Sequence, residues 1–89
     1  MNCYVVTFET HSDESRERVR TQLKTYPHFC PIHKYCWAIL TDKKAKDIRN
    51  DVAAKLDKGE RLFVIRSGTE AAWRNTFGDK NSEWLKENL

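Results

Sequence analysis

Apolar residues gather into four short runs, at 3–8, 28–32, 36–41 and 62–65, each too brief for a helix and suited to a strand. Two charged segments separate them. In the first, Val19, Leu23 and Tyr26 recur at helical spacing, and in the second Ala45, Ile48, Val52 and Leu56 do the same. The order is strand, helix, strand, strand, helix, strand. Two strand-helix-strand units in so short a chain bury both helices by laying them on one face of a four-stranded antiparallel sheet. The expected fold is therefore α+β, a ferredoxin-like βαββαβ domain spanning 1–89. The opposite sheet face is then left for a partner.

The phase of each run refines this picture. Tyr4, Val6 and Phe8 alternate with Cys3, Val5 and Thr7, and both sets are largely apolar, as in a central strand covered on two sides. Pro31 cannot donate to a ladder, so the second run is expected at an edge. The third reads as interior, with Trp37 and Ile39 on one face and Cys36, Ala38 and Leu40 on the other. The last strand is expected over 61–66. The first helix starts from a cap within 10–12, carries Asp13 and Glu14 in its first turn, and is expected to end at Tyr26 because Pro27 follows. The second is expected over 43–57, capped by Thr41 or Asp42 and stopped by Gly59, with Lys55 and Lys58 near its C-terminal dipole.

Residues 68–89 form a C-terminal extension rich in large apolar side chains. Two placements stand open for it. In one, Trp73, Phe77, Trp84 and Leu85 pack across a homodimer. In the other, 82–89 is a short third helix on the edge of its own sheet, with Leu85 and Leu89 inward.

Composition bounds the function classes. A chain of 89 residues buries only about 60 to 65% of its unfolded surface, so its core is small and self-association would help it. With 39% hydrophobic and 33% charged residues it has no disorder signature. No apolar run approaches the roughly 20 residues of a membrane span, and the N-terminus passes straight into a strand, so a cytoplasmic, unprocessed protein is expected. Three cysteines, Cys3, Cys30 and Cys36, show no paired framework and fit a reducing compartment. The net charge of +3 comes from 16 basic residues mixed with 13 acidic ones, which permits a nucleic-acid partner without requiring one.

Several side-chain sets invite chemistry. Arg16, Arg20 and Lys24 recur every four residues and would form a basic row on the first helix, able to follow a phosphate backbone; Arg61, Arg66 and Arg74 would extend it if the tail folds back. Asp13, Glu14 and Glu17 lie in the same turns, so a solvated mixed-charge face is the plainer reading. His28, Cys30, His33 and Cys36 carry zinc-type donors, but their spacing lacks a tight knuckle, and buried thiols beside exposed histidines describe them better. Trp37, Trp73 and Trp84 have faces for stacking on bases, although packing is the commoner use. The three glycines are far apart, which excludes a phosphate-cradling loop.

The strings Tyr4-Val5-Val6-Thr7-Phe8-Glu9, Trp37-Ala38-Ile39-Leu40-Thr41-Asp42, Ile48-Arg49, Leu62-Phe63-Val64-Ile65, Ala72-Trp73 and Trp84-Leu85-Lys86 together resemble the SinR-like proteins. These are similar to the small CRISPR-associated adaptation nuclease, second in the Cas numbering, and to the VapD toxin ribonucleases. The resemblance covers nearly the whole chain and implies a two-fold homodimer with facing sheets and C-terminal segments reaching onto the partner.

The resemblance also implies a site. Nuclease members hold a divalent metal with an aspartate at the end of the first strand, where this chain has Glu9, one methylene longer. Working catalytically, Glu9 and its symmetry mate would hold magnesium or manganese to hydrolyse a phosphodiester, with His11 as proton carrier or phosphate contact. The substitution, and relatives that act as binding proteins, lead to an expected homodimeric module with little or no catalysis, associated with RNA or DNA. A metal-dependent endoribonuclease is one alternative. A phage or plasmid regulator that binds and inhibits a larger protein complex is another.

Overall fold

The structure is a computed structural model that describes residues 1–68, 70–75 and 77–89; Thr69 and Thr76 of the C-terminal extension lie outside the described residues. Its elements run β1 (Asn2–Glu9), α1 (Asp13–Leu23), β2 (His28–His33), β3 (Cys36–Thr41), α2 (Ala45–Ala53), β4 (Arg61–Arg66) and α3 (Asp79–Asn88). The strands form one antiparallel sheet in the order β2-β3-β1-β4. This small α+β architecture, a four-stranded antiparallel sheet with three helices, is compatible with the expected fold.

The alternation within β1 divides the interior. Tyr4, Val6 and Phe8 point to the side where Val19 and Leu23 of α1, Ile48 and Val52 of α2, and Trp37 and Ile39 of β3 close the main core. Leu62 and Val64 of β4 lie opposite Phe8 and Val6 in the ladder and pack against the same core. Cys3 points the other way, into a second cluster with Cys30, Ala38 and Leu85 of α3. Leu85 is 1% exposed, so α3 covers its own sheet on the face opposite α1 and α2. In this placement the apolar surface of Leu85 is removed from water within one chain.

Both helices end earlier than their apolar spacing suggests. α1 stops at Leu23, and Thr25 and Tyr26 donate to the carbonyls of Gln22 and Leu23 in a tighter turn of three-residue spacing. The residue before proline resists helical geometry, yet the Tyr26 side chain still reaches the core, where its hydroxyl donates to Asp51 at 3.0 Å. α2 spans only Ala45–Ala53, because Lys55 and Leu56 make the same tightened turn. Its N-cap is Lys44, without a side-chain cap bond; Thr41 Oγ1 instead accepts from the Lys43 amide at 3.1 Å in the preceding turn. Gly59, at φ +87°, occupies the third position of the turn closed by the Glu60 amide on the Asp57 carbonyl, a conformation that favours glycine.

The sheet has two unlike edges. β2 carries Pro31 and a bulge between Pro31 and His33, and the Pro31 carbonyl accepts from Asn81 Nδ2 of α3 at 3.2 Å. β4 is the other edge, flanked by Arg61 and Arg66.

Candidate functional site

β1 ends at Glu9, and antiparallel pairing sets it opposite Arg61 at the start of β4. Glu9 Oε1 lies 3.5 Å from Arg61 Nε, with both side chains mostly exposed. Such a pair adds little to stability, but it sets a cation of the protein's own beside this carboxylate. The turn between β2 and β3 rises next to it. A cleft of about 440 Å³ lies between Glu9, Arg61 and Phe63 on one side and His33 and Tyr35 on the other, and a neighbouring one of about 490 Å³ continues past Glu9 to Thr10 and His11. The Tyr35 ring meets Phe8 edge-on, 6.2 Å between centroids, which props the turn against the core. His33 Nδ1 accepts from the Tyr35 amide at 3.1 Å, leaving Nε2 to carry the proton of the neutral ring.

The loop holding His11 is fixed by Glu60, a residue to which the sequence reading gave no role. Its Oε2 accepts from the His11 amide and from Ser15 Oγ, both at 2.6 Å, and its Oε1 accepts from the Asp57 amide at 2.6 Å. The Ser15 hydroxyl, followed by the two amides, holds the Glu60 carboxyl at about 2 against an ordinary 4.5. Ser12 caps α1, its Oγ accepting from the Ser15 amide at 3.1 Å. Ser15 is fully buried. The signal for it lay in the helical spacing, since position 15 shares the inward stripe of Val19, Leu23 and Tyr26, and a hydroxyl there needs a partner. Thr10 Oγ1, beside it, is buried with no partner among the described residues.

Glu9 and His11 therefore share one cleft, but among the described residues no three His, Cys, Asp or Glu side chains come together as a metal-binding group. With Arg61 already beside Glu9, the residues of one chain do not fit a divalent cation. The zinc-type donors are likewise apart: His28 and His33 stand at opposite ends of β2, and burial pushes the thiols of Cys3, Cys30 and Cys36 up, keeping them protonated.

The basic residues divide between the two edges. Arg16 and Arg20 line a third cleft, of about 220 Å³, with Lys34 and Phe77, whereas Lys24 is the C-cap of α1 and is not part of its lining. Arg20 Nη1 pairs with Glu17 at 3.0 Å. Arg66 lies on the far edge, its Nη2 donating to Asn2 Oδ1 at 3.1 Å, and Arg74 is exposed in the extension. Of the tail aromatics, Phe77 is 63% exposed, while Trp73 is half-buried and donates from Nε1 to Ser82 Oγ at 2.9 Å. Trp84 packs beside the Leu85 cluster. Trp37 is 2% exposed, so it offers no face to a base.

No family model and no curated protein matches the chain. Among solved structures it is similar to the crystal structure of a hypothetical protein TT1823 from Thermus thermophilus, with a TM-score of 0.68 and 18% identity. The likeness covers 84% of this chain and 92% of that one, and supports the fold alone. No helix among the described residues is long and apolar enough to cross a membrane.

Proposed function

We propose that this chain is a ferredoxin-like protomer of a homodimer that associates with nucleic acid and has little or no catalytic activity, in keeping with its resemblance to the SinR-like branch of the CRISPR-adaptation and VapD superfamily. The observation that carries the dimer is the half of the open sheet face that α3 leaves bare. Phe63 and Ile65 stand there 60% and 50% exposed, opposite Thr7 and Val5 in the ladder. Adjacent large apolar groups on a flat face mark a surface that gains by being covered. The Arg61 cation beside Glu9, in clefts lined by no second carboxylate among the described residues, supports a non-catalytic reading, because attraction to Arg61 offsets part of what a metal would gain from Glu9. Sedimentation velocity tests the dimer: the wild type should sediment as a dimer and the Phe63→Ser/Ile65→Ser double variant as a folded monomer. A monomeric wild type at high concentration would sink it.

Glu9 and His11 on one cleft favour a second reading, a metal-dependent endonuclease completed by a second copy. Labelled RNA and DNA with magnesium or manganese test it. Cleavage that vanishes in Glu9→Ala would displace the non-catalytic reading, and a regulator of a larger protein complex would show neither cleavage nor salt-sensitive oligonucleotide binding.

A further inference from the structure

Three cations converge on the cleft between α1 and the β2–β3 turn: Arg16, Arg20 and Lys34. Arg16 is braced from behind, its Nε donating to the Lys34 carbonyl at 3.4 Å, and among the described residues its two terminal nitrogens bond to nothing else. Arg20 has Glu17 on one nitrogen only. Phe77 stands at the mouth, 63% exposed, an aromatic face held beside these charges and in contact with no other ring among the described residues. His33 lines both this cleft and the one at Glu9.

We propose that this cleft is a binding site for single-stranded nucleic acid, with a backbone phosphate held by Arg16, Arg20 and Lys34 and an unpaired base stacked on Phe77. The inference rests on the nucleic-acid reading above and gives it a place and a strand form. A guanidinium whose Nε is fixed presents its outer nitrogens in a fork that matches phosphate oxygens. A base needs only a free π-face to stack on phenylalanine, and a duplex keeps those faces covered, so the aromatic group selects an unpaired strand of any sequence. The strand continues over His33 toward Tyr35, where a second ring, 39% exposed, lies beyond Lys34.

The test is fluorescence anisotropy on the full chain with labelled oligo-U, oligo-dT and a duplex of equal length, over a range of salt. The wild type should prefer both single strands to the duplex. Phe77→Ala should weaken binding about tenfold, as loss of one stacked base does. Arg16→Ala/Arg20→Ala should weaken it and reduce the salt slope by about 0.7, the share of the one phosphate they hold on a single strand. The charge-matched Lys55→Ala/Lys58→Ala variant should bind as the wild type does. Any difference between oligo-U and oligo-dT supports the site equally and names the sugar it takes. Tight single-strand binding unaltered in the Phe77 and arginine variants would overturn the site and leave nucleic-acid association standing elsewhere on the surface. A duplex preference would overturn the stacking. No binding by the wild type at low salt would remove both the site and the reading beneath it, and leave a protein partner as the occupant.

Discussion

Leu85→Ala probes the attachment of α3. Leu85 is the one fully buried side chain of that ten-residue helix, set against Cys3, Cys30 and Ala38 and outside the main core between the sheet and the other two helices. The substitution removes three carbons from a side chain that is 1% exposed. At about 0.8 kcal/mol per buried methylene the transfer loss is about 2.4 kcal/mol. The cavity left under the helix raises the cost to about 3 kcal/mol. An isolated helix needs about 12 to 15 residues to be even marginal in water, so α3 released from the sheet also unwinds. Amide hydrogen exchange followed by mass spectrometry reads this locally. Exchange in α3 should accelerate about 100-fold, since each 1.4 kcal/mol is tenfold, while the amides of β1 and β3 keep their protection. Equal loss of protection in β1 and β3 would show that α3 is integral to the main core. An effect that depends on protein concentration would show that α3 packs on a second copy, and either result refutes the reasoning.

Acid should act through Glu60. Its carboxyl is held below its ordinary range, so its stabilisation is complete above pH 4.5 and is lost as the pH falls toward about 2. Urea midpoints measured across that interval should fall in the wild type and fall less steeply in Glu60→Gln; parallel profiles would contradict the assignment. Ser12→Ala deletes the acceptor of the Ser15 amide and should cost about 1 kcal/mol in urea unfolding, with Ser12→Gly costing only a few tenths. An unchanged midpoint in the alanine variant would show that the cap contributes nothing.

The apolar phase made the sheet legible. Alternation in β1 and β3 assigned each residue to its face, Pro31 placed β2 at an edge, and the stripes of Val19, Leu23, Ile48 and Val52 marked the inward sides of both helices. Helix ends were less legible, because Tyr26 and Leu56 keep the apolar spacing while their backbones have already turned into tighter geometry. Period alone also could not place α3: a stripe that includes Leu85 and Leu89 is the same whether its sheet belongs to this chain or to another. The Glu60 bonds were hidden for a different reason. They join residues 45 and 49 positions apart, and nothing in a local window marks a glutamate that will meet a serine and a backbone amide across the fold. In the same way, Arg16 and Arg20 were visible as a row, but Phe77 joins them only through the path of the tail.

The unlike edges of the sheet bear on how many copies can join through their strands. On the β2 side Pro31 has no amide hydrogen to give and its carbonyl is taken by Asn81, so a further strand would find the ladder interrupted there. On the β4 side the backbone is open. A molecule that can extend its sheet in one direction only reaches a count of two and halts: β4 against β4 about a two-fold axis would give an eight-stranded ribbon capped at both ends by β2. Fibre growth by strand addition would then meet the interrupted edge at its second step. The exposed Phe63 and Ile65 belong to that same β4 strand, so the apolar surface lies on the side where such joining would stop at two.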